Sequence, residues 1–422
     1  MISLALMAID STSFSKSQVH TELEGRFGSD GVFLSKELLA VMVSDLISSH
    51  CQHPDQINED EMQSILQDLD SRPIGKDPHP IKAVVMGGGA FGTAMACALS
   101  RRGHQVTILM LPQESTHVDS INSAHKNTMC FPDTMLPTSI KATTDADGTF
   151  EGASLVVHAI PVQYSRKYLE SIKSHLPKGC PIISVSKGIS MDTLDFMDGI
   201  LTQVLGDSHP LAFVAGPSFA IGIIEGEPTW CTLASSDVET ANTLQKLISS
   251  STFRTYHTTD VRGVEACSAL KNVLSILCGM SIALGHSPNT TNGLLTRAWA
   301  DIRSLVVGLG GKPETMSGLA GIGDLLLTCY GGLSRNSKFG ALLAKNGSVE
   351  EAIKGAGGVV EGLPTSKAVH DLAEKMNIKI PVLSAISRLL EGQISPQDLV
   401  IYVMTLPLGE EFPKLQAEPA KL

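Results

Sequence analysis

The sequence predicts an α/β protein with a doubly wound parallel sheet followed by an all-helical C-terminal domain. The first observation is that short apolar runs alternate with helical segments from Ile81 onward. These runs are continuously apolar, as expected for parallel strands that helices cover on both faces. The second observation is that strand-like runs stop at about residue 258, after which the apolar segments have helical periodicity. Strands that alternate with helices join through right-handed crossovers into one parallel sheet.

Six runs are predicted as strands because they are short, continuously apolar and separated by helical segments. In chain order they are IKAVVMG, QVTILML, SLVVHAIP, PIISVSKG, AFVAGP and TWCTLAS. Six segments of the second half are predicted as helices from the spacing of their apolar residues. They are GVEACSALKNVLSILCGMSIAL, GLLTRAWADIRSLVVGLG, GIGDLLLTCY, RNSKFGALLAK, GLPTSKAVHDLAEKM and VLSAISRLLEG.

Charge distribution separates an N-terminal extension from the rest of the chain. Residues 1–80 contain 13 acidic and 5 basic side chains, which accounts for most of the formal net charge of −11. We interpret this segment as two short amphipathic helices and a polar linker without recognisable chemistry. The predicted domains are therefore the acidic extension at 1–80, a sheet domain at 81–257 and a helical domain at 258–422.

Composition argues against several classes of partner and site. The negative net charge argues against a nucleic-acid or anionic-membrane partner. No apolar run is expected to reach the ~20 residues that a membrane span needs. The eight cysteines have no CxxC or paired spacing, which indicates a reducing intracellular compartment. No clustered Cys/His motif occurs among the 13 histidines, so no metal site is predicted.

The first motif with chemical meaning follows the first predicted strand. In GGGAFG, Gly87, Gly89 and Gly92 satisfy the GxGxxG pattern, with Ala90 and Phe91 between the last two. In a Rossmann-type βαβ unit these glycines allow a tight turn, close approach of a pyrophosphate and close packing of helix on strand. The motif therefore predicts NAD or NADP as cofactor. The alternative is a glycine-rich turn without a ligand.

The residues that normally distinguish the two cofactors do not follow the usual pattern. An acid for the ribose of NAD, or an arginine for the phosphate of NADP, is expected about 20 residues past the glycines. The chain has Met110-Leu111-Pro112 there, and Glu114 is the nearest acid. The preference between NAD and NADP therefore stays open.

Lys271 lies within an otherwise apolar helical run, where a cation is costly to bury unless it is paired, neutralised or used. Cys267, Ser268 and Ser275 share its helix face one turn away. Desolvation there lowers a lysine pKa toward neutrality, which suits proton exchange with a substrate oxygen. The alternative is a lysine whose ammonium reaches the surface at the edge of the helix.

Two further segments place polar groups where a ligand is expected. Lys187 ends the predicted strand PIISVSKG at the carboxyl edge of the sheet, where doubly wound folds bind ligands. An ordinary surface lysine is the alternative there. Asp324 and Thr328 are spaced i and i+4, so both can point from one helix face.

Ser334, Arg335 and Asn336 form a candidate phosphate site. Ser334 is a plausible N-cap for a helix that opens with Arg335 and Asn336. Guanidinium charge, amide donors and the helix dipole together suit a phosphate. The alternative is an exposed loop that leads into an ordinary capped helix.

Taken in order, the motifs resemble the NAD(P)-dependent glycerol-3-phosphate dehydrogenases of bacteria and plant plastids, from about Ile81 to about Pro407. The resemblance rests on GGGAFGTAMA, FPDTMLP, HAIPVQYS, SVSKGI, AGPSFA, GVEACSALKNVLSILCGM, GIGDLLLTC with SRNSKFG, and VVEGLPT. It implies reversible hydride transfer between sn-glycerol 3-phosphate and dihydroxyacetone phosphate, in the cleft between a dinucleotide-binding domain and a helical substrate domain. Helical domains of this kind commonly support dimers, so a homodimer is expected.

The resemblance implies roles for individual residues of this chain. Lys271 resembles the catalytic acid/base, Lys187 the second substrate lysine, and Asp324 the residue that orients Lys271 or a substrate hydroxyl. The other substrate contacts that it implies are Gly216, Ser218, Asn272, Thr328, Ser334, Arg335 and Asn336. Beside the GGGAFG turn, the cofactor contacts that it implies are Lys187, Ala220, Arg335 and Glu361.

The chain also departs from the family pattern. Ile221-Gly222 stand where the family has an acid after AGPSFA, the arginine after the second strand is absent, and residues 1–80 have no bacterial counterpart. Two other functions stay open: a β-hydroxyacid or 6-phosphogluconate-type dehydrogenase with a carboxylate substrate, and a catalytically silent NAD(P)-binding regulator. A cytoplasmic location is expected, with a plastid or, from Ala420-Lys421-Leu422, a peroxisome or glycosome as alternatives.

Overall fold

The computed structural model describes residues 76–77 and 79–411. The two helices predicted within residues 1–80, and the C-terminal Ala420-Lys421-Leu422, lie outside the described residues. Within the described part, the strands fall between residues 82 and 258, and only helices and their connections follow. The predicted fold class, a doubly wound sheet followed by a helical region, is confirmed.

One eight-stranded sheet organises the first half of the described chain. Its strands are β1 (Lys82–Met86), β2 (Gln105–Leu109), β3 (Lys141–Thr143), β4 (Leu155–His158), β5 (Ile182–Ser184), β6 (Leu211–Ala215), β7 (Thr229–Ala234) and β8 (Phe253–Thr258). Their order is β3-β2-β1-β4-β5-β6-β7-β8. The chain reverses its direction of winding between β1 and β4, which is where doubly wound folds bind ligands at the carboxyl ends of their strands.

Three features of the sheet differ from the prediction. β7 pairs antiparallel with β6, so the sheet is not wholly parallel. The connection between them contains a single helix of six residues and leads into β7 at the edge where β6 ends. β3, which has only three residues, is not among the predicted strands. β8 is not among them either, and its buried and exposed residues alternate as they do in an edge strand.

Helices cover both faces of the sheet. They are α1 (Ala90–Arg101), α2 (Ser115–Ala124), α3 (Val162–Ile172), α4 (Met197–Leu205), α5 (Ala220–Glu225) and α6 (Val238–Ile248). One apolar cluster joins α1 and α6 to one face, and a second joins α3 and α4 to the other. Val84 and Val85 of β1 belong to opposite clusters and both are fully buried. Two-sided burial is therefore the reason that the strands are continuously apolar.

The second half of the described chain is helical. Its α-helices are α7 (Val261–Ala283), α8 (Pro288–Gly308), α9 (Asp324–Tyr330), α10 (Arg335–Asn346), α11 (Val349–Ala356), α12 (Gly362–Lys375), α13 (Pro381–Leu390) and α14 (Pro396–Met404). The sequence analysis does not predict α11 and α14. A turn of π-helix, Leu319–Gly323, leads directly into α9.

α7 is the central helix of this half, and every residue from Gly263 to Ser281 is buried. Among the described residues it is the one helix long and apolar enough to cross a membrane by length and composition. It is not a continuous apolar run, because Glu265, Lys271 and Asn272 interrupt it. Because the protein itself buries nearly the whole helix, α7 is a core helix of the fold.

Two features fix α7 in place. Asp260 caps its first turn, because its carboxylate accepts a hydrogen bond from the Gly263 N–H at 3.0 Å. Its other oxygen accepts from the Lys312 N–H at 2.9 Å. Further along, Gly279 and Gly340 bring α7 and α10 into backbone contact. A Cβ on Gly279 would lie 1.9 Å from the Ser337 carbonyl oxygen, so no larger residue fits without a shift of backbone. The start of α10 is thereby held beside the middle of α7.

Candidate active site

The candidate site centres on Lys271, midway along α7, which is 4% exposed. Its ammonium donates hydrogen bonds to the carboxylate of Asp324 and to the Thr328 hydroxyl, the latter at 2.6 Å. Asp324 and Thr328 lie one turn apart on α9, so the predicted i, i+4 pair does face one partner. The alternative of a lysine that reaches the surface is wrong, because the ammonium is enclosed and paired.

The Asp324 carboxylate bridges two lysines. Its Oδ1 accepts from Lys271, and its Oδ2 accepts from Lys187 at 2.9 Å. Lys187 comes from the loop after β5, at the carboxyl edge of the sheet, whereas Lys271 comes from the helical half. The carboxylate is thus the direct link between the two halves of the site, and it is 1% exposed.

Electrostatics place Lys271 close to its titration point at physiological pH. Burial lowers the pKa of Lys271 to about 8, since the charged form is desolvated, and the positive charge of Lys187 adds to this effect. The negative charge of Asp324 opposes it. Burial by itself raises the pKa of Asp324, but the two lysines outweigh it, and the carboxyl pKa stays below its usual value. The site therefore holds a fixed carboxylate and a lysine that can give up or take a proton.

A second polar network joins Lys271's helix to the candidate phosphate site. The Ser275 hydroxyl, one turn after Lys271, donates to the Thr328 carbonyl at 3.1 Å and lies 2.8 Å from the Ser334 hydroxyl. Ser334 is the predicted N-cap of α10, and its hydroxyl accepts from the Ser337 N–H at 3.3 Å. The Arg335 side chain is exposed at the first position of this helix. Its guanidinium is therefore available to an anion.

Asn336 lies next to Arg335, but its amide is already engaged. Its Nδ2 donates to the Asn272 Oδ1 at 3.1 Å, and its Oδ1 accepts from the Gly362 N–H at 2.9 Å. These bonds tie α10 to α7 and to the start of α12. They also fix the Asn272 amide so that its nitrogen points away from Asn336. Asn272 is thus oriented as a donor beside Lys271.

The glycine turn between β1 and α1 has the shape of a phosphate cradle. A Cβ on Gly92 would lie 2.0 Å from the Gly87 carbonyl oxygen, so this glycine is required for helix and turn to pack. A Cβ on Gly89 would meet nothing within 4 Å, so this side of the turn faces open space at the N-terminus of α1. The open cradle and the free N–H groups of the helix end fit a dinucleotide pyrophosphate.

Two residues outside the predicted set hold this turn. The Asn127 amide nitrogen donates to the Gly88 carbonyl at 2.7 Å and to the Thr93 hydroxyl at 2.7 Å. The Thr93 hydroxyl in turn donates to the Gly89 carbonyl at 3.0 Å. The position of Thr93 directly after the glycines is a signal that the sequence offers. Asn127 lies far along the chain, in a loop with no recognisable sequence motif. Ser275 is likewise missing from the predicted set, although its helix face was noted.

The remaining predicted residues surround the lysines at greater distance. The Lys187 ammonium lies 5.8 Å from the ring centroid of Phe91, which places the glycine turn next to the lysine pair. Gly216 has no room for a side chain, since a Cβ would lie 2.8 Å from the Cys231 Cα, and its carbonyl accepts from the Ser218 hydroxyl at 2.9 Å. Ala220 opens α5 immediately beyond.

Glu361 approaches the site from the start of α12. A Cβ on Gly188, the residue after Lys187, would lie 3.8 Å from its Oε2. Burial raises the pKa of Glu361 to about 7, and the positive charge of Arg335 opposes that shift. Among the described residues, no group of three or more His, Cys, Asp and Glu side chains could hold a metal ion.

Comparison with known proteins gives matches to two models of one family. A model of the NAD-dependent glycerol-3-phosphate dehydrogenase N-terminus matches residues 82–241, and a model of the C-terminus of that family matches residues 260–401. A chloroplastic glycerol-3-phosphate dehydrogenase [NAD(+)] of Arabidopsis thaliana is 39% identical over 331 residues, covering 78% of this chain and 79% of that protein. A glycerol-3-phosphate dehydrogenase [NAD(P)+] of Nitratidesulfovibrio vulgaris is 37% identical over 332 residues, covering 78% of this chain and all of that protein.

The solved structures agree. The crystal structure of glycerol-3-phosphate dehydrogenase from Coxiella burnetii superposes with a TM-score of 0.73 at 31% identity, covering 78% of this chain and 100% of that one. That of the Saccharomyces cerevisiae enzyme superposes with a TM-score of 0.67 at 24% identity, which shows a shared fold. The part of this chain outside these matches includes the acidic extension.

Removing the negative charge of Asp324 should strongly destabilise the fold. Asp324→Asn leaves two lysines without their buried counter-charge, and breaking one partner of a buried pair costs about 3–5 kcal/mol. Asp371→Asn is the matched control, because Asp371 pairs with Lys367 on an exposed helix surface at 3.5 Å, where a pair contributes about 0.3–0.5 kcal/mol. Urea unfolding at pH 7 measures both. Equal losses of unfolding free energy in the two variants would contradict the bridging role.

Proposed function

The chain belongs to the family of NAD-dependent glycerol-3-phosphate dehydrogenases, and we propose that its chemistry is carried by the cluster Lys271, Asp324 and Lys187. The reaction is reversible hydride transfer between sn-glycerol 3-phosphate and dihydroxyacetone phosphate, with NAD or NADP as cofactor. A bound nicotinamide supplies or accepts the hydride. The observation that carries the residue assignment is the position of the buried Lys271 ammonium, which bonds to both Asp324 and Thr328. Burial there lowers the pKa of Lys271 to about 8.

In this proposal Lys271 is the catalytic acid/base. In the reduction it gives a proton to the carbonyl oxygen of dihydroxyacetone phosphate as the carbon receives hydride, and in the oxidation it removes the hydroxyl proton. A group with a pKa near the working pH is effective in both directions. Asp324 and Thr328 hold the ammonium at one position, so that the proton transfer needs no rearrangement of the side chain.

Lys187 contributes positive charge where the carbonyl oxygen becomes negative, and the shared Asp324 fixes its position relative to Lys271. The Asn272 amide nitrogen, oriented by Asn336, is suited to a substrate hydroxyl or carbonyl oxygen. Gly216 and Ser218, in the loop after β6, are also assigned to the substrate.

The phosphate end of the substrate is assigned to the start of α10. Arg335 offers an exposed guanidinium at the N-terminus of that helix, and Ser334 holds the first turn as its cap. Asn336 was expected to bind the phosphate, but we propose a different role for it. Because both ends of its amide are bonded to α7 and α12, we assign it mainly to the orientation of Asn272. The site thus has a cation for the phosphate and a separate proton donor for the carbonyl.

The glycine turn, Phe91, Ala220 and Glu361 are assigned to the cofactor. The family match favours this function over the carboxylate-specific dehydrogenase that the sequence left open. The silent regulator differs from it in one measurable respect, since it would bind cofactor without turnover. An assay of nicotinamide absorbance with dihydroxyacetone phosphate, run with NADH and with NADPH, tests the proposal. Cofactor binding without oxidation in either case would contradict it.

Replacing Lys271 should abolish turnover and leave cofactor binding intact. Lys271→Met keeps the length of the side chain and removes the exchangeable proton, so the rate should fall by a factor of about 10² or more. The dissociation constant for NADH, measured by fluorescence, should change little. Lys246→Met is the control, because Lys246 is exposed on α6. Turnover in Lys271→Met close to that of Lys246→Met would refute the acid/base assignment.

The two directions of the reaction should depend on pH in opposite ways. Reduction needs protonated Lys271, so kcat/KM for dihydroxyacetone phosphate should fall as pH rises through about 8, and that for glycerol 3-phosphate should rise. Lys187→Gln removes a neighbouring positive charge that lowers the pKa of Lys271. Its inflection should therefore move to higher pH, whatever the loss in rate. An inflection that stays in place or moves down would contradict the coupling.

The proposal extends to assembly and location. We assign the protein a homodimeric state through its helical half and a cytoplasmic location, with a plastid, peroxisome or glycosome as the alternatives. Sedimentation equilibrium tests the first point, and a single monomeric species at micromolar concentration would contradict it. Microscopy of an N-terminally tagged chain tests the second. A punctate signal that becomes diffuse after removal of Ala420-Lys421-Leu422 would favour the peroxisome or glycosome.

A further inference from the structure

We propose that Glu114 selects NAD over NADP, by accepting hydrogen bonds from the adenosine ribose at the end of β2 and by opposing a 2′-phosphate there. The inference rests on the proposed function, since it concerns the cofactor of the same reaction. Its basis is the juxtaposition of the Glu114 carboxylate, the Leu111–Pro112 backbone and an apolar cavity at the carboxyl edge of the sheet. The sequence left this preference open because no acid stands directly at the strand end.

The first step is the position of the cavity. A cavity of about 590 Å³ lies between the end of β2, the segment after β3 and helix α3. Leu109, Met110 and Leu111 line one side of it, and Tyr164 and Tyr168 line another. A Cβ on Gly88 would lie 2.5 Å from the Met110 side chain, so the glycine turn packs directly on this strand end. The cavity is therefore next to the pyrophosphate cradle, where the adenosine of a dinucleotide extends in a doubly wound fold.

The second step is the position of Glu114. A 3₁₀ turn, Pro112–Glu114, follows the strand and folds the side chain back toward it. Glu114 Oε2 accepts a hydrogen bond from the Leu111 N–H at 3.0 Å. Within residues 79–411, no hydrogen bond involves its other oxygen, Oε1. The Glu114 carboxylate, although it comes three residues after Leu111 in the sequence, therefore lies at the end of β2. The ribose-binding acid of NAD enzymes lies at the same place.

The third step is that the Pro112–Glu114 turn lacks the positive charge that a 2′-phosphate needs. A 2′-phosphate needs hydrogen-bond donors and positive charge. Pro112 has no N–H, and the N–H of Leu111 is already bonded to Glu114, so the donors left in this turn are the uncharged ones of Gln113, which lines the cavity. The carboxylate itself would lie close to the phosphate, where like charges repel. A ribose hydroxyl meets the opposite situation, because it can donate to the open carboxylate oxygen.

The fourth step is a buried hydroxyl that lacks a partner. Among the described residues, the Tyr168 hydroxyl is buried and forms no hydrogen bond, although the residue lines the cavity. Burial, with a smaller effect of the Glu114 charge, raises the pKa of this phenol. It is therefore a neutral donor, suited to a polar edge of an adenosine. Apolar walls with one unpaired hydroxyl are typical of a site for a base and its sugar.

One lining residue argues in the other direction. Lys167 contributes the only cationic side chain that lines this cavity among the described residues, and it is exposed on α3. An exposed lysine can pair with a phosphate, but it belongs to a different wall from the β2 turn. Its contribution can be measured separately. Lys167→Met measures that contribution.

The test is the dissociation constant of each cofactor for the full-length protein, measured by the fluorescence of bound NADH and NADPH without substrate. The wild-type protein should bind NADH at least about tenfold more tightly than NADPH. Glu114→Gln keeps an oxygen that can accept from Leu111 but removes the charge, so the ratio should fall by about fivefold. Glu151→Gln is the control, because Glu151 is exposed before β4, at the opposite edge of the sheet, and its ratio should equal that of the wild type.

The outcomes separate this inference from the proposed function. Equal binding of NADH and NADPH by the wild type, or an unchanged ratio in Glu114→Gln, overturns the role of Glu114 and leaves the dehydrogenase assignment intact. A ratio that changes in Lys167→Met but not in Glu114→Gln overturns it in favour of Lys167. Binding of neither cofactor overturns both the inference and the proposed function.

A second measurement needs no variant, so a failure of Glu114→Gln to fold does not prevent the test. AMP and 2′,5′-ADP compete with NADH for the wild-type protein, and they differ only in the 2′-phosphate. AMP should displace NADH at a concentration at least about tenfold lower than 2′,5′-ADP. Equal or stronger competition by 2′,5′-ADP would overturn the proposal.

Discussion

The Asp324 carboxylate is the interaction on which the rest of the site depends. It is buried, and it pairs at once with Lys187 from the sheet and Lys271 from the central helix. Two lysines that share one carboxylate repel each other, and the negative charge between them offsets that repulsion. Because the two lysines come from different halves of the chain, this one side chain also fixes how those halves meet at the reacting centre.

The surrounding architecture holds that carboxylate in place. α7 is buried along its length, is capped by Asp260, and touches α10 through paired glycines. Ser275 then joins Thr328 to the cap of α10, while Asn336 joins α10 to Asn272 and to α12. Lys271, Thr328 and the cap of α10 are therefore parts of one hydrogen-bonded network. A network of this kind holds its side chains in fixed positions.

Much of the fold could be predicted from local pattern alone. The six apolar strands and the six helices of the second half are correctly located, because two-sided burial gives a strand a continuous apolar run and one-sided packing gives a helix its period. The misses have different physical origins. β3 is too short to show a pattern, β8 alternates as an edge strand, and the direction of β7 depends on where its connection returns rather than on its residues.

The sequence by itself determined which residue types could do the chemistry. A lysine inside an apolar helix, a glycine-rich turn after a strand, and an arginine at a helix start are each readable because they are costly or unusual where they stand. Only the tertiary structure decided which of them meet. Lys271 and Lys187 share the carboxylate of Asp324, which lies 53 and 137 positions after them. Asn127 holds a glycine turn 39 positions away, and the Glu114 side chain folds back to bond the backbone at the end of β2. Contacts of this kind depend on the path of the whole chain, and no local pattern records that path.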